Sequence, residues 1–131
     1  MANISAPLHV LVVDDEPLIR WSLAETLTEA GHSVTEAGDA RAAVRTVADA
    51  KAPFDVVVLD YRLPDSNDLE LLSTIRASAP GAAVILMTAF GTPEMTARAL
   101  SMGAYCVVPK PFEVHEMADL VRQARDAARR R

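Results

Sequence analysis

Short apolar runs alternate along this chain with stretches where apolar residues recur every three or four positions. The runs fall near residues 8–13, 33–37, 56–60, 83–88 and 105–109. Val10-Leu11-Val12-Val13, Val56-Val57-Val58-Leu59 and Val84-Ile85-Leu86-Met87 are continuous and rich in β-branched residues. Such runs suit strands covered on both faces, as in a parallel sheet, because neither face meets water. Ser33-Val34-Thr35-Glu36-Ala37 alternates only in part and reads as an edge strand. Five helices complete the pattern. Pro17 opens the first, where a missing N–H costs nothing. Ile19, Leu23, Leu27 and Ala30 form its apolar stripe, and Gly31 is its stop. Asp39 is a good N-cap for a second helix reaching about Ala50. A third follows Asn67, with Glu70 three residues on in a capping-box arrangement and Leu71, Leu72 and Ile75 as its apolar face. The fourth starts at Thr92, has Pro93 in its first position and ends at Gly103. The fifth carries Val114, Met117, Val121, Ala124 and Ala128 at helical spacing.

Five successive β-α units predict an α/β fold, with helices on both faces of a five-stranded parallel sheet. Right-handed crossovers restrict the topology, and 2-1-3-4-5 is the usual strand order for such a flavodoxin-like (βα)5 three-layer sandwich. In that order the switch point lies between strands 1 and 3, and ligands bind there at the carboxyl ends of the strands. Residues 1–7 read as an N-terminal leader and 8–127 as one domain. Residues 128–131 read as a basic C-terminal end, either a solvated helix end or the start of a linker.

Bulk properties narrow the function. The chain has 131 residues, enough for one domain with a sizeable core. A net charge of -5 argues against nucleic-acid binding by this domain itself. Cys106 is the single cysteine, so no intramolecular disulfide can form, and it reads as a small buried strand residue. No apolar run approaches a membrane span, and residues 1–7 lack the regions of a signal peptide, which makes the cytoplasm the default location. His9, His32 and His115 share no metal-ligand spacing and read as ordinary strand or surface histidines. Trp21 falls roughly opposite the stripe of the first helix and is expected to be partly exposed.

The chemistry sits where the strands end. Asp14 and Asp15 follow the first run, Asp60 the third, Thr88 the fourth and Lys110 the fifth. A parallel sheet would gather these three carboxylates, one hydroxyl and one ammonium at one edge. Crowded carboxylates raise one another's pKa unless a cation sits among them. Mg²⁺ suits the set, since it is a hard cation that takes one or two carboxylates, several waters and a phosphate. Asp15 and Asp60 are expected as direct ligands and Asp14 as a direct or water-bridged one. Asp60 ends the central strand, where its carboxylate can attack phosphorus. Thr88 can donate to one phosphoryl oxygen and Lys110 can neutralise another. Each residue alone is more often a cap or a turn; the weight lies in their conjunction.

That conjunction resembles the receiver domain of two-component response regulators. The likeness covers about residues 8 to 125 and rests on Asp14-Asp15, Asp60 with Leu63-Pro64-Asp65, Thr88-Ala89 and Lys110-Pro111-Phe112. It implies that Asp60 takes a phosphoryl group from a sensor histidine kinase or phosphotransfer protein, with Mg²⁺ present and Mn²⁺ able to substitute. It implies that the backbone carbonyl of Arg62 completes the metal site and that Lys110-Pro111 is a cis peptide. It also implies a switch that controls an output domain or partner, with a phosphorylation-dependent homodimer through the fourth helix, fifth strand and fifth helix. Ile19-Arg20-Trp21, Thr88-Ala89-Phe90-Gly91 and Pro109-Lys110-Pro111-Phe112 look like the nitrogen-regulatory, sigma-54-dependent activators, so a transcriptional output is expected. Two positions depart from the family pattern. Val107 stands where many receivers carry an aromatic, with Tyr105 two residues earlier and expected on the same strand face, and Asp68 replaces a usual glycine.

Two other classes share parts of this residue set. A Mg²⁺-dependent phosphohydrolase of haloacid-dehalogenase type would want a second acid two residues after Asp60, where Arg62 stands. A flavin or nucleotide module would want a Gly-rich phosphate loop, which neither common pattern supplies here. A stand-alone receiver acting by protein–protein contact is the alternative within the family.

Overall fold

The apolar runs at 10–13, 56–59 and 84–87 become strands because both of their faces find a helix layer to bury against. The computed structural model describes residues 7–129. The leader expected at 1–7 therefore lies outside the described residues except for Pro7, as do Arg130 and Arg131 of the basic end. The strands are β1 (His9–Val13), β2 (Ser33–Ala37), β3 (Val56–Asp60), β4 (Ala83–Thr88) and β5 (Cys106–Pro109). They alternate with α1 (Pro17–Glu29), α2 (Ala40–Asp49), α3 (Glu70–Ser78), α4 (Pro93–Ser101) and α5 (Val114–Arg129). All pairings are parallel and the order is β2-β1-β3-β4-β5. Among the described residues, no helix is long and apolar enough to cross a membrane.

Strand alternation divides the core in two. Leu11, Val13, Val57, Leu59, Val84 and Leu86 point to one face and meet Ala43 of α2, Leu72 and Ile75 of α3, and Ala99 of α4. Val10, Val12, Val56, Val58, Ile85 and Met87 point to the other and meet Leu23 and Leu27 of α1 with Met117, Val121 and Ala124 of α5. Every residue of β3 and β4 is buried, as the unbroken runs predict. Fully burying one such aliphatic side chain is worth about 1.5–3 kcal/mol. The strands therefore fix the register that positions the site.

Several local expectations meet a different outcome. The capping box at Asn67 and Glu70 does not form; Asp68 Oδ1 instead accepts from the Glu70 N–H at 2.9 Å, just ahead of α3. A carboxylate in the turn thus does the capping, in the place where the family usually has glycine. Ala30 is exposed, because α1 has ended and the stripe closes at Leu27. His32 is buried, not a surface residue: its Nδ1 accepts the Leu8 N–H at 3.0 Å. Burial, then the nearby Arg122 charge, lowers its pKa, with Asp55 opposing. Tyr105 does not share Val107's face. Tyr105 packs on the α1–α5 side and Val107 on the α2–α3–α4 side, because Tyr105 precedes β5 and escapes the pleat.

Candidate phosphoacceptor site

Register brings the acids together before any side chain is placed. Val13 pairs with Leu59, so Asp14 and Asp60 emerge side by side at the ends of β1 and β3. Thr88 pairs with Pro109, so Lys110 leaves the sheet just beyond Thr88. The Lys110 N–H then donates to the Thr88 carbonyl at 2.8 Å, and the Lys110-Pro111 bond is cis. Asp14, Asp60 and Thr88 are buried, whereas Asp15 is exposed.

The residues line an open pocket of about 280 Å³, with Asp15, Asp60, Thr88 and Lys110 on its wall and Arg62 and Phe90 at its side. Carboxylate oxygens of Asp14, Asp15 and Asp60 all lie within 4.8 Å of one another, a group that could hold a metal ion. Lys110 Nζ reaches Asp14 Oδ2 at 3.0 Å and Asp60 Oδ2 at 3.2 Å. Burial, then the Asp14 charge, raises the pKa of Asp60, against the opposing pull of Lys110 and the Arg62 N–H. Burial draws the Lys110 ammonium down, but the hydrogen bond and charge of Asp14, followed by Asp60, more than reverse it and leave its pKa raised. Lys110 thus stays charged while Asp60 carries a carboxylate held at a cost. A divalent cation among three carboxylates would relieve that cost, so the donor set fits Mg²⁺.

Thr88 Oγ1 accepts the Phe90 N–H at 3.2 Å, which fixes its rotamer and leaves its O–H free to donate. The Arg62 guanidinium carbon stands 5.6 Å from the centre of the Phe90 ring, a cation–π distance. Asp14, Asp15, Asp60, Thr88 and Lys110 therefore gather here, and Arg62 lines the same pocket.

Two roles escaped the sequence reading: Glu16 was not singled out, and Asp65 entered only as part of a motif. Glu16 Oε1 lies 3.6 Å from Lys110 Nζ, a third partner whose only signal was its place after Asp14-Asp15. Asp65 receives the N–H groups of Ala40 at 2.8 Å and Arg41 at 3.0 Å, tying the loop after β3 to the start of α2. These bonds lower its pKa. Its partners lie some 25 residues away, so no local pattern could reveal them.

The sheet and its carboxyl-edge cup define an α/β domain of the phosphoacceptor class. The chain belongs to the response regulator receiver domain family, whose pattern matches residues 10–122. It is 40% identical over 111 residues to the probable transcriptional regulatory protein TcrX of Mycobacterium tuberculosis, covering 85% of this chain and 47% of that one. It is 35% identical over 115 residues to the DNA-binding transcriptional regulator NtrC of Azospirillum brasilense, covering 88% of this chain and 24% of that one. The solution structure of the beryllofluoride-activated NtrC4 receiver domain dimer matches with a TM-score of 0.83 at 32% identity, covering 92% of this chain and 98% of that one. The chain thus spans less than half the length of these two curated relatives. The likeness to nitrogen-regulatory activators holds, and the domain is a signalling domain of two-component systems.

Proposed function

We propose that Asp60 is the phosphoacceptor of this receiver and that Asp14, Asp15 and Asp60, with the backbone carbonyl of Arg62, hold Mg²⁺ or Mn²⁺. One observation carries the reading: Lys110 Nζ bridges Asp14 and Asp60 beside the Thr88 hydroxyl, within a group of three converging carboxylates. Bound there, Mg²⁺ supplies positive charge against which an anionic donor can approach. The Asp60 carboxylate then attacks phosphorus in line, forming an O–P bond while the bond to the donor's imidazole nitrogen breaks. The Lys110 ammonium turns from the Asp60 oxygen to a phosphoryl oxygen, and the Thr88 hydroxyl donates to another. Receivers of this family work with histidine kinases, and we assign the donor here to a sensor histidine kinase or phosphotransfer protein in the cytoplasm. The output is transcriptional control through a partner or attached domain, and the functional unit is 8–127.

The test is incubation with acetyl phosphate and Mg²⁺, read by intact mass. Wild type should gain one phosphoryl group and Asp60→Asn none. Equal labelling of the variant would move the acceptor elsewhere. The same variant should also melt a few degrees higher at neutral pH. An acid whose folded pKa is raised binds more protons folded than unfolded, so stability falls as pH climbs through that window, and a neutral side chain escapes the loss. Lost labelling in a protein that melts no lower cannot come from unfolding.

A further inference from the structure

Arg20 stands on α1 outside the pocket, yet it grips the loop that carries two of the carboxylates. Its Nη1 donates to the Asp14 carbonyl oxygen at 2.7 Å. Its Nε pairs with Glu36 Oε1 at 3.1 Å, from β2. Gly38 lies alongside, and a Cβ there would come within 3.3 Å of Nη1, so a larger residue would crowd the guanidinium. The arrangement is a two-point brace, in which Arg20 of α1 holds the Asp14 carbonyl and is itself aimed by Glu36 of β2, with the bare Gly38 leaving room for the guanidinium.

What it braces is one peptide unit. Asp14 itself has other anchors: its N–H donates to Ala37 O at 3.1 Å, its Oδ1 accepts from Glu16 N at 2.9 Å and its Oδ2 meets Lys110. Asp15 has none of these. Its side chain is exposed, and among the described residues no hydrogen bond or ion pair engages its carboxylate. The direction of that carboxylate is therefore inherited from the Asp14–Asp15 peptide, whose oxygen is the atom Arg20 holds.

We propose that Arg20 is a positioning residue for the cation site, fixing the Asp14–Asp15 peptide so that the Asp15 carboxylate faces Asp60. The role rests on the assignment of Asp15 as a cation ligand. The pair with Glu36 is half-exposed and contributes little by itself; its part is to aim the guanidinium. The charge-assisted bond to the carbonyl is the one that matters. Loss of a group that orients a ligand in this way typically costs about 10–100-fold in metal affinity.

The test uses the full chain as wild type, Arg20→Ala and Arg20→Lys. Calorimetric titration with Mg²⁺ gives affinity, and ¹⁵N relaxation of the metal-free protein gives the order parameter of the Asp15 N–H, which belongs to the same peptide. Arg20→Ala should weaken Mg²⁺ binding about tenfold or more and lower that order parameter. Arg20→Lys should recover part of both, because one ammonium can reach the carbonyl but cannot also brace on Glu36. A merely structural role would lower the melting temperature and leave both readouts unchanged. Affinity within twofold of wild type, or an unaltered Asp15 order parameter, overturns the proposal while leaving the cation site intact. Absence of Mg²⁺ binding in the wild type overturns the site and this role together.

Discussion

If Asp60 is the acceptor, Lys110 should separate cation binding from phosphoryl transfer. Its ammonium shares Asp14 and Asp60 with any bound cation, so it competes for them at 3.0 and 3.2 Å. Lys110→Ala should therefore leave Mg²⁺ affinity unchanged or raised in a calorimetric titration. It should slow acetyl-phosphate labelling by on the order of a hundredfold, as expected when one preorganised donor to a developing anion is lost. A large loss of Mg²⁺ affinity would contradict this division. Arg62 and Phe90 act at the side of the same pocket. Neither side chain presents an acceptor that could orient a water, and their cation–π contact in the pocket wall is expected to shield Asp60. Hydrolysis needs a water in line with the Asp60 oxygen. The phosphorylated protein should therefore be long-lived, and Phe90→Glu with Arg62→Asn should shorten its half-life several-fold by phosphate release. An unchanged half-life would dismiss the shielding while leaving Asp60 as acceptor. Asp14, Asp60, Thr88 and Lys110 were legible in sequence because each stands at the end of an apolar run. Glu16, and the contacts of Arg20 and Asp65 beyond their place in motifs, were not, because their partners are set by elements that meet in space.

At the scale of elements, caps and turns hold the site in register. Asp39 Oδ1 accepts from Ala42 N at 2.7 Å and Thr92 Oγ1 from Met95 N at 3.1 Å, the two N-caps the local pattern anticipates. Gly31 and Gly103 both adopt positive φ, at 97° and 103°, as the stops of α1 and α4. Gly103 is the tighter, since a Cβ would meet Arg76 Nε at 2.7 Å. That same arginine donates to Ala82 O at 2.8 Å, just before β4. Gly103→Ala should thus lower stability by about 1–3 kcal/mol in urea unfolding, from left-handed strain and a displaced Arg76. A loss below half a kilocalorie would show that the turn gives way freely. The capping box failed because Asp68, one residue later than expected, was better placed to take the Glu70 N–H. Helix ends are decided by competition among neighbouring polar groups, which spacing alone cannot resolve.

Across the whole molecule, the cup lies at one end of the sheet, while β5 and α5 leave a shallow groove lined by Val108, Phe112, Met117 and Leu120. Leu100 of α4 is also exposed. The face of α4, β5 and α5 is where the sequence likeness leads one to expect a phosphorylation-dependent homodimer. Sedimentation should show a rise toward the dimer mass on addition of beryllofluoride and Mg²⁺, lost in Leu120→Glu; a monomer under both conditions would overturn that expectation. The sequence by itself determined the strands, their expected order and the acid, hydroxyl and lysine at their ends, because burial of the inner strands demands local apolar runs that can be read directly. It also showed that Val107 departs from the family's aromatic. Only the tertiary structure decided that Tyr105 lies across the sheet from Val107, that His32 is buried against Leu8, and that Arg20 grips the Asp14 peptide. Those outcomes depend on which distant segments come within a hydrogen bond of one another, and periodicity along one segment carries no information about its neighbours in space.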